Sequence, residues 1–257
     1  MNLKKEYQNN GFLISEFKDK KPLLKCKEIT NDFFNKKDSY YSSLTDEEYR
    51  KIVLNCMESI NKEKIQKQIV DNEKKFFNEL ISEKLKIQSV VYFRTARPHN
   101  SSHIQEQLDF HRETFYSDFD YIKKQFNFWF PVKNLTKNNS MMYIPYSHKI
   151  DDKKIKTKTT LSDKSGVKRF STGHKIGLLY NPKKIIEGVD FNFQKSLFVP
   201  EGSFVIFSSM LIHGAAINHE KKIRFSCDFG LLDEEVVDNV KFSFAADKPQ
   251  YLSYNEL

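Results

Sequence analysis

Two histidines and one acidic residue have the types and order of a metal site. His111 and Glu113 are separated by one residue in QLDFHRETFYS, residues 107–117, and His213 lies much later, before a glycine. Two imidazoles and one carboxylate on one face of an octahedral ion form the facial triad that suits non-haem Fe(II) and leaves the remaining positions open. The sequence therefore offers a candidate iron site if the fold brings the three side chains together.

Arg224 follows His213 by 11 residues, a spacing that suits a second role beside such a site. A 2-oxo acid would chelate the metal through its carboxylate and keto oxygens and leave a position for O₂. The far carboxylate of that acid needs a cation, and arginine pairs with carboxylates in a bidentate manner and stays protonated. A hairpin with His213 on one strand and Arg224 on the next would put both on one inner face.

The His111-Arg112-Glu113 tripeptide is weak evidence for a metal site by itself. With 7 histidines and 34 acidic residues among 257, about one His-x-acid pattern arises by chance. The alternative interpretation is a surface strand for the tripeptide, a buried core histidine for His213 and a surface salt bridge for Arg224. The hypothesis of a metal site therefore depends on the rest of the pattern.

The composition indicates a globular protein with a substantial core. Of 257 residues, 39% are hydrophobic and 14% aromatic, against 30% charged. The net charge of +8 would suit an anionic partner such as nucleic acid or a phosphorylated metabolite. No basic block alternates with aromatic residues as a nucleic-acid groove requires, and scattered surface lysines explain the charge equally well. A nucleic-acid partner is therefore the less favoured alternative.

Cysteine usage and hydropathy both favour an intracellular protein. Cys26, Cys56 and Cys227 form neither a disulfide framework nor a CxxC zinc pattern, and thiols of this kind stay reduced in the cytosol. The N-terminal residues lack the apolar stretch of a signal peptide, and no apolar run approaches the ~18 residues of a membrane span. We therefore expect a cytoplasmic protein that does not insert into membranes.

Residues 45–85 have a helical pattern, and the sequence after them has the pattern of strands. Thr45 and the acids that follow it indicate a helix start. The strand-like segments are KIQSVVYFRTARP, QFNFWFPV, SMMYIPY, HKIGLLY, SLFVP, SFVIFSS, IRFSCDFGLL and NVKFSFA. Many short strands predict a sandwich or a closed double-sheet jelly roll rather than βαβ units. The polar stretch 149–173 predicts a lid-like loop or disorder.

Several motifs occur in order between about residues 90 and 230. They are His111-x-Glu113, Trp129 on the following strand, IPYSHK at 144–149, EGSFVIFSSMLIHG with His213, and Arg224. This order resembles the iron(II)/2-oxoglutarate oxygenases of the phytanoyl-CoA dioxygenase-like family. VYFRTARP followed by LDFHRETFYS is most similar to members associated with sugar and cell-surface polysaccharide gene clusters.

The resemblance implies a mainly β fold with flanking helices around a double-stranded β-helix core, a cupin-like jelly roll. It also implies Fe(II), 2-oxoglutarate and O₂ as cofactor and cosubstrates. We expect a single oxygenase domain over residues 1–257, because no repeat or composition change marks a second one. Within it, we expect mainly helical support in 1–86, the core in 87–246 and the lid-like loop at about 149–173.

The resemblance also implies roles for individual residues. The metal ligands would be His111, Glu113 and His213, and Arg224 would bind the far carboxylate of 2-oxoglutarate. Further candidates for the cosubstrate pocket are Ser226, Trp129, Asn127, Gln107 and Arg94. Candidates for contact with the substrate or support of the metal ligands are Tyr116 and His148. Asn127 and Trp129 alternate on one strand and should share a face, whereas a buried Trp is also typical of a core and a turn histidine often caps backbone groups.

The sequence departs from the family pattern at three positions. Family members usually carry Asp where this chain has Glu113, whose side chain is one methylene longer. Tyr146 replaces a turn glycine, and Ala215 stands where a hydroxyl residue is common. Ser226 would then supply the hydrogen bond to 2-oxoglutarate that Ala215 removes. Halogenating relatives lack the carboxylate, so Glu113 favours oxygen insertion.

The resulting prediction is an Fe(II)/2-oxoglutarate-dependent dioxygenase that hydroxylates a small polar metabolite, such as a sugar or nucleotide-linked sugar in polysaccharide biosynthesis. 2-Oxoglutarate would be decarboxylated to succinate and CO₂, with desaturation, epimerisation or cyclisation as alternative outcomes. Lysines clustered at 153–168 would suit a phosphate-bearing substrate, although a solvated loop explains them too. The alternatives are a non-catalytic sugar-binding β-sandwich and a nucleic-acid demethylase, which would bind nucleic acid with steep salt dependence.

Overall fold

The computed structural model describes residues 2–99, 109–116, 120–159, 183–236 and 251–257. The helices in these ranges are α1 (Leu3–Asn10), α2 (Lys21–Phe33), α3 (Asp38–Ser43), α4 (Asp46–Lys62), α5 (Ile65–Asn72) and α6 (Lys74–Leu80). The strands there are β1 (Phe12–Glu16), β2 (Leu85–Gln88), β3 (Tyr92–Ala96), β4 (Phe126–Lys133), β5 (Met141–Tyr143), β6 (Lys156–Thr159), β7 (Lys183–Glu187), β8 (Lys195–Leu197), β9 (Ser203–Ser208), β10 (His213–Ala215), β11 (Arg224–Asp233) and β12 (Tyr251–Ser253). Single-turn 3-10 helices connect several of them.

Helix α4 begins where the sequence predicts. The Thr45 hydroxyl accepts a hydrogen bond from the Glu48 amide, and the Glu48 carboxylate accepts one from the Thr45 amide, which together form a capping box. Tyr49, Val53 and Cys56 follow at helical spacing and are fully buried. This apolar stripe packs α4 against β3, the strand that precedes the segment of His111.

The second part of the predicted helical segment is interrupted twice. Lys64 has a left-handed conformation with φ of 51° immediately before α5, and α5 and α6 meet at Glu73. Glu73 is only 1% exposed, and its carboxylate accepts a hydrogen bond from the Lys18 amide at 2.7 Å. The local periodicity predicts one continuous helix here. The structure instead has two short helices, and a tertiary contact holds the residue at which they meet.

The larger sheet has the strand order β1-β9-β4-β11-β2-β12, and β3 also pairs with β11. The prediction of one strand from KIQSVVYFRTARP is wrong, because this segment forms both β2 and β3. Both strands run antiparallel along one edge of β11, with β3 beside residues 224–228 and β2 beside residues 231–233. The other edge of β11 pairs with β4, so β11 is the central strand of the sheet.

The smaller sheet has the order β10-β5-β8, and His111 pairs with His213 next to it as an isolated antiparallel bridge. In chain order, β3, β4, β9 and β11 belong to the larger sheet, whereas the His111 bridge, β5, β8 and β10 belong to the smaller one. The chain thus passes repeatedly between two antiparallel sheets, which is the winding of a double-stranded β-helix. The predicted fold class is confirmed.

The larger sheet has one apolar face and one face that carries both polar and apolar side chains. The outer face packs under the helices, and its largest fully buried side chains are Phe128, Phe130, Phe204 and Phe229. Burial of such a ring contributes about 1.5–3 kcal/mol. Successive side chains of a strand alternate between faces, so the same strands also carry an inner set: Arg94, Asn127, Trp129, Arg224, Ser226 and Asp228. The outer face holds the fold together, and the inner face is available for chemistry.

The predicted lid-like loop at 149–173 is described only in part. Its first residues form 3-10 turns and then β6, which pairs antiparallel with β7. Ile155 and Ile185 form a buried cluster with Ile144 and Ile212, which lie next to β5 and β10. The two ends of the segment 149–187, which we call the insertion, are therefore attached to the smaller sheet. Residues 160–182, with the predicted strand HKIGLLY, lie outside the described residues.

Strands near both ends of the chain fall beyond the predicted boundaries. β1 belongs to the region 1–86 that was expected to be mainly helical, and it pairs with β9 at one edge of the larger sheet. β12 lies beyond residue 246 and pairs with β2 at the other edge. The predicted strand NVKFSFA lies in 237–250, outside the described residues. None of the described helices is both long enough and apolar enough to cross a bilayer.

Candidate active site

The three side chains of the predicted metal site lie together. Nε2 of His213 is 3.5 Å from Oε1 of Glu113, and Nε2 of His111 is 3.8 Å from the same oxygen. The two imidazole centroids are 4.4 Å apart, and one ligand atom from each residue lies within 4.8 Å of the other two. The two distant parts of the sequence thus form a cluster of two nitrogen donors and one oxygen donor.

Main-chain hydrogen bonds fix the positions of these residues. The His111 amide donates to the His213 carbonyl at 2.8 Å, and the His213 amide donates to the His111 carbonyl at 3.0 Å. Residues paired in this way have Cα atoms about 5.5 Å apart, so the two imidazoles leave the backbone side by side. The Glu113 amide donates to the Ser209 carbonyl at 3.1 Å, which attaches Glu113 to the segment between β9 and β10.

Each imidazole is oriented by a backbone carbonyl. Nδ1 of His111 is 2.7 Å from the Asp109 oxygen, and Nδ1 of His213 is 2.9 Å from the Leu211 oxygen. A carbonyl oxygen only accepts, so each Nδ1 carries the proton and each Nε2 presents a lone pair. Two lone pairs and the Glu113 carboxylate therefore face one another, which is unfavourable in a buried site without a cation. This donor set fits Fe(II).

The protonation states of the cluster suit metal binding. Burial and the neighbouring His213 lower the pKa of His111 to about 4, so this ring is neutral at neutral pH. Burial alone would raise the pKa of Glu113, but cationic groups around the carboxylate, Arg94 among them, outweigh burial and lower that pKa. Neutral imidazole and ionised carboxylate are the forms that bind a metal cation.

Arg224 and Ser226 lie on the inner face of β11. Arg224 is 5% exposed, and its Nη1 donates to the Asn139 carbonyl at 3.2 Å. Ser226 is fully buried, and its hydroxyl has no hydrogen-bond partner among the described residues. An unsatisfied buried polar group costs about 1–3 kcal/mol, so this hydroxyl is suited to a bound ligand. The hairpin expected between His213 and Arg224 does not form, because β10 belongs to the smaller sheet and β11 to the larger one.

Arg94 is held by an acidic residue that the sequence analysis missed. Its Nε is 2.8 Å from Oδ1 of Asp228 and its Nη2 is 3.2 Å from Oδ2, which is a bidentate ion pair. The pair lies across β3 and β11, where Arg94 is opposite Ser226 and Asp228 is opposite Tyr92. The charge of Arg94 also helps to lower the pKa of Glu113. Because Asp228 engages two nitrogens of its guanidinium, we expect Arg94 to act on the cosubstrate less directly than the sequence predicts.

Asn127 is the end of a buried chain of hydrogen bonds. The Tyr251 hydroxyl donates to Oε1 of Gln125 at 2.6 Å, and the Gln125 amide donates to Oδ1 of Asn127. Asn127 is 7% exposed, and its Nδ2 has no partner among the described residues. A side chain at Gly230, which is opposite Asn127 on β11, would overlap the Tyr251 hydroxyl. The glycine therefore makes room for a network that leaves one amide donor available.

Tyr116 and Trp129 differ in their surroundings. Tyr116 sets its ring edge-on against His111, with centroids 5.4 Å apart and an interplanar angle of 90°. Trp129 shares the inner face of β4 with Asn127 and is 6% exposed. The ring of Trp129 belongs to a buried apolar cluster with Val205, Phe207 and Leu211. Tyr116 thus supports a metal ligand, and Trp129 forms an apolar part of the interior.

His148 does not join the triad, and its predicted contact with substrate is corrected. The 3-10 turn at Ser147–Lys149 sets its ring against α1, where Nε2 donates to the Gln8 carbonyl at 3.0 Å. The ring also packs on the backbone of Gly11. His148 therefore follows the alternative interpretation, a turn histidine that caps a backbone group. Gln107 lies outside the described residues.

Sequence reasoning missed four residues near the site: Arg112, Ser147, Asp228 and Tyr251. Asp228 could have been found, because it continues the alternation of Arg224 and Ser226 on one face of a strand. Arg112 is fully buried, and a buried arginine requires partners that its own segment does not contain. Tyr251 comes from a short strand at the other end of the chain and has no local signal.

The sequence matches the family model for phytanoyl-CoA dioxygenase (PhyH) over residues 37–226. This span is most of the chain and contains the triad together with Arg224 and Ser226. The chain belongs to the phytanoyl-CoA dioxygenase family. It is therefore an Fe(II)/2-oxoglutarate-dependent oxygenase, as the sequence predicted, and its three-donor cluster fits the iron. Among proteins with curated descriptions, no sequence matches this oxygenase.

Several solved structures share the fold of this oxygenase. ThoJ, a non-heme monooxygenase in its apo form, has a TM-score of 0.55 and 13% identity, with 95% of this chain and 82% of ThoJ covered. EvdO2 from Micromonospora carbonacea var. aurantiaca, complexed with 2-oxoglutarate, has a TM-score of 0.51 and 12% identity over 89% of each chain. The epimerase SnoN, in complex with Fe³⁺, alpha ketoglutarate and nogalamycin RO, has a TM-score of 0.51 and 11% identity over 97% of this chain and 94% of SnoN.

Proposed function

We propose that this oxygenase binds Fe(II) through His111, Glu113 and His213 and anchors 2-oxoglutarate on Arg224 and Ser226. The proposal rests on the arrangement of the triad. Each imidazole donates its Nδ1 proton to a backbone carbonyl, and each directs its Nε2 lone pair at the Glu113 carboxylate. Arg224 adds a buried cation, and Ser226 adds a hydroxyl that no described residue uses. Together they suit an anionic chelator that reaches from the metal to β11.

The protein residues in this proposal bind and orient the reactants. Bound iron supplies the activation of O₂ that couples conversion of 2-oxoglutarate to succinate and CO₂ with oxidation of a substrate C–H bond. The carbonyls of Asp109 and Leu211 keep the imidazoles from rotating, which maintains the ligand geometry. Trp129 and Phe207 contribute apolar surface that limits access of water.

The substrate that we propose is a small polar metabolite, with a sugar or nucleotide-linked sugar in polysaccharide biosynthesis as the leading class. The Arg94–Asp228 pair presents donor and acceptor groups near the triad, and Asn127 adds an amide donor. Sugar hydroxyls both donate and accept hydrogen bonds, so they match such a mixed surface. Exposed Lys153 and Lys154 at the base of the insertion would suit a phosphate group on the same substrate.

A substrate screen tests the proposed reaction. The protein is supplied with Fe(II), 2-oxoglutarate and O₂, and succinate release is measured with free sugars, sugar phosphates, nucleotide sugars or oligonucleotides. We expect a nucleotide sugar or sugar phosphate to accelerate succinate release and to gain one oxygen atom by mass. Because SnoN is described as an epimerase, the configuration of the recovered sugar is analysed as well. Stimulation by oligonucleotides alone would favour the demethylase alternative and contradict the sugar class.

A further inference from the structure

Arg112 is fully buried although it is charged and lies between His111 and Glu113 in the chain. Its backbone is extended, with φ of −114° and ψ of 154°. In an extended segment, neighbouring side chains leave on opposite sides, so the guanidinium points away from the side that carries His111. A buried charge is tolerated only when it is paired and hydrogen-bonded, and the partners of Arg112 therefore indicate what it does.

The guanidinium of Arg112 binds one turn of the chain, residues 147–152. Nη2 donates to the carbonyls of Ser147 and Ile150, the latter at 2.8 Å, and Nη1 pairs with the Asp152 carboxylate. Three acceptors are thus held by one planar fork. A lysine carries its charge on a single nitrogen and lacks this fixed geometry.

The same turn also holds the segment that leads into His213. The Ser147 hydroxyl accepts a hydrogen bond from the Ile212 amide at 2.8 Å, and the Ile212 carbonyl accepts one from the Ile144 amide at 2.9 Å. Ser147 is itself fully buried. It therefore uses its carbonyl for Arg112 and its hydroxyl for Ile212, so both segments with metal donors are bonded to one residue.

From these contacts we infer that Arg112 is a positioning residue, which acts with Ser147 as a bracket that holds His111, Glu113 and His213 in place before metal binds. The inference rests on the proposed role of these three residues as metal ligands. His111 and His213 pair through an isolated bridge and not through a continuous ladder, so their direct pairing is short. Apart from the bond from the Glu113 amide to the Ser209 carbonyl, the bracket supplies a further attachment between their segments, and metal ligands need support of this kind to keep their geometry.

Metal binding without turnover tests the inference. Metal-free protein is titrated with Co(II), and the dissociation constant and visible absorption spectrum are recorded for the wild type, Arg112→Lys and Ser147→Ala. We expect both variants to bind Co(II) at least about tenfold more weakly, which is the usual effect of losing support for metal ligands, and to show an altered spectrum. Ser147→Ala removes one oxygen atom and keeps the test available if Arg112→Lys does not fold.

Arg97→Lys is the matched control. The side chain of Arg97 is 2% exposed and pairs with Asp46 at the start of α4, so the control removes the fork of another buried arginine away from the bracket. We expect its melting temperature to fall while its Co(II) affinity and spectrum stay those of the wild type. Equal weakening of metal binding in Arg97→Lys and Arg112→Lys would mean that general stability is responsible, and would overturn the inference.

Amide hydrogen exchange in metal-free protein gives a readout that does not depend on the ligand assignment. We expect Arg112→Lys and Ser147→Ala to accelerate exchange at the amides of Ile212 and His213, which are remote from residue 112 in sequence. Wild-type exchange, affinity and spectrum in Arg112→Lys would refute the bracket. If His213→Ala leaves Co(II) binding unchanged while the exchange effect is present, the ligand assignment fails and the bracket stands.

Discussion

Arg224 and Arg94 lie on the same face of the larger sheet, and their partners give them different roles. Arg94 has its fork engaged by the Asp228 carboxylate, so its charge is largely neutralised by a fixed partner. Arg224 donates to the carbonyl of Asn139 and lies two residues before Ser226 on the same face of β11, where the Ser226 hydroxyl has no partner among the described residues. We therefore expect an incoming carboxylate to bind Arg224 and Ser226 together.

We therefore expect substitution by glutamine to affect 2-oxoglutarate binding differently at the two arginines. Arg224→Gln should weaken 2-oxoglutarate binding about 10- to 100-fold, because a lost charged hydrogen bond is worth roughly 1.5–3 kcal/mol. Arg94→Gln should leave 2-oxoglutarate binding nearly unchanged. Anaerobic titration of the Fe(II) protein with 2-oxoglutarate, followed by the metal-to-ligand charge-transfer band, measures both. A larger loss for Arg94→Gln than for Arg224→Gln would contradict these roles.

The chemistry of the site could be predicted from the sequence where residue types alone decide it. An iron site that binds 2-oxoglutarate requires two imidazoles, a carboxylate and an arginine. The order of these residue types in the chain limited the choice to His111, Glu113, His213 and Arg224. Arg112 was not found, because its partners come from a distant segment, whereas Asp228 was missed although its strand alternation with Ser226 indicated it. The sequence left two interpretations of His148 open, because a turn histidine has no periodicity that tells which way its ring faces.

Among the elements, the turn IPYSHK joins β5 to the insertion and contains a strained residue. Tyr146 has φ of 60°, in the left-handed region that glycine adopts without strain. The glycine that the resemblance predicts at this position would therefore adopt the observed conformation without strain. Tyr146 is 62% exposed, so burial of its ring offsets little of the strain.

Tyr146→Gly should therefore stabilise the protein. The left-handed conformation costs a non-glycine residue about 1–2 kcal/mol, and the greater freedom of glycine in the unfolded chain offsets part of that gain. We expect a net increase of up to about 1 kcal/mol in the free energy of unfolding, measured by chemical denaturation. Phe193→Gly is the control, because Phe193 is 66% exposed and has no positive φ. Its stability should fall, and a gain of equal size in both variants would count against the strain argument.

Tyr251 of β12 fits beside β11 only because position 230 is a glycine. A side chain at Gly230 would overlap the Tyr251 hydroxyl and press on Gln125. Gly230→Ala should therefore destabilise the protein by about 1–3 kcal/mol, as overpacked interiors do. In a Tyr251→Phe background the penalty should be smaller, because the overlapping oxygen is gone. A double-mutant cycle from denaturation curves measures the coupling, and equal penalties in both backgrounds would contradict the contact.

The elements could be predicted where one strong pattern covers them, and not where tertiary contacts decide. The capping box of Thr45 located α4, and apolar alternation located β4, β9 and β11. The break at Glu73 was missed because its cause is a contact with Lys18. β1 and β12 were missed because they are short edge strands whose partners lie far away in sequence.

In the whole molecule, the double-stranded β-helix separates stability from chemistry. Phenylalanines on the outer face of the larger sheet pack with the helices into the main core, while the inner face carries ionic and amide side chains. Because the two sets alternate along the same strands, residues that bind ligands are held by the residues that form the core. The fold class followed from the many short strands and from the resemblance, but the pairing of β2 and β3 with one strand needed the structure.

Spectroscopy of the iron-loaded protein tests whether the three side chains hold one ferrous ion together with 2-oxoglutarate. Without O₂, Fe(II) and 2-oxoglutarate are added to the wild type, to His111→Ala, Glu113→Ala and His213→Ala, and to His148→Ala as a control whose ring lies against α1. We expect a visible metal-to-ligand charge-transfer band at one iron per chain in the wild type and in His148→Ala, and loss of the band in each triad variant. A band that persists unchanged in His213→Ala, or that never forms in the wild type, would contradict the triad as the iron site.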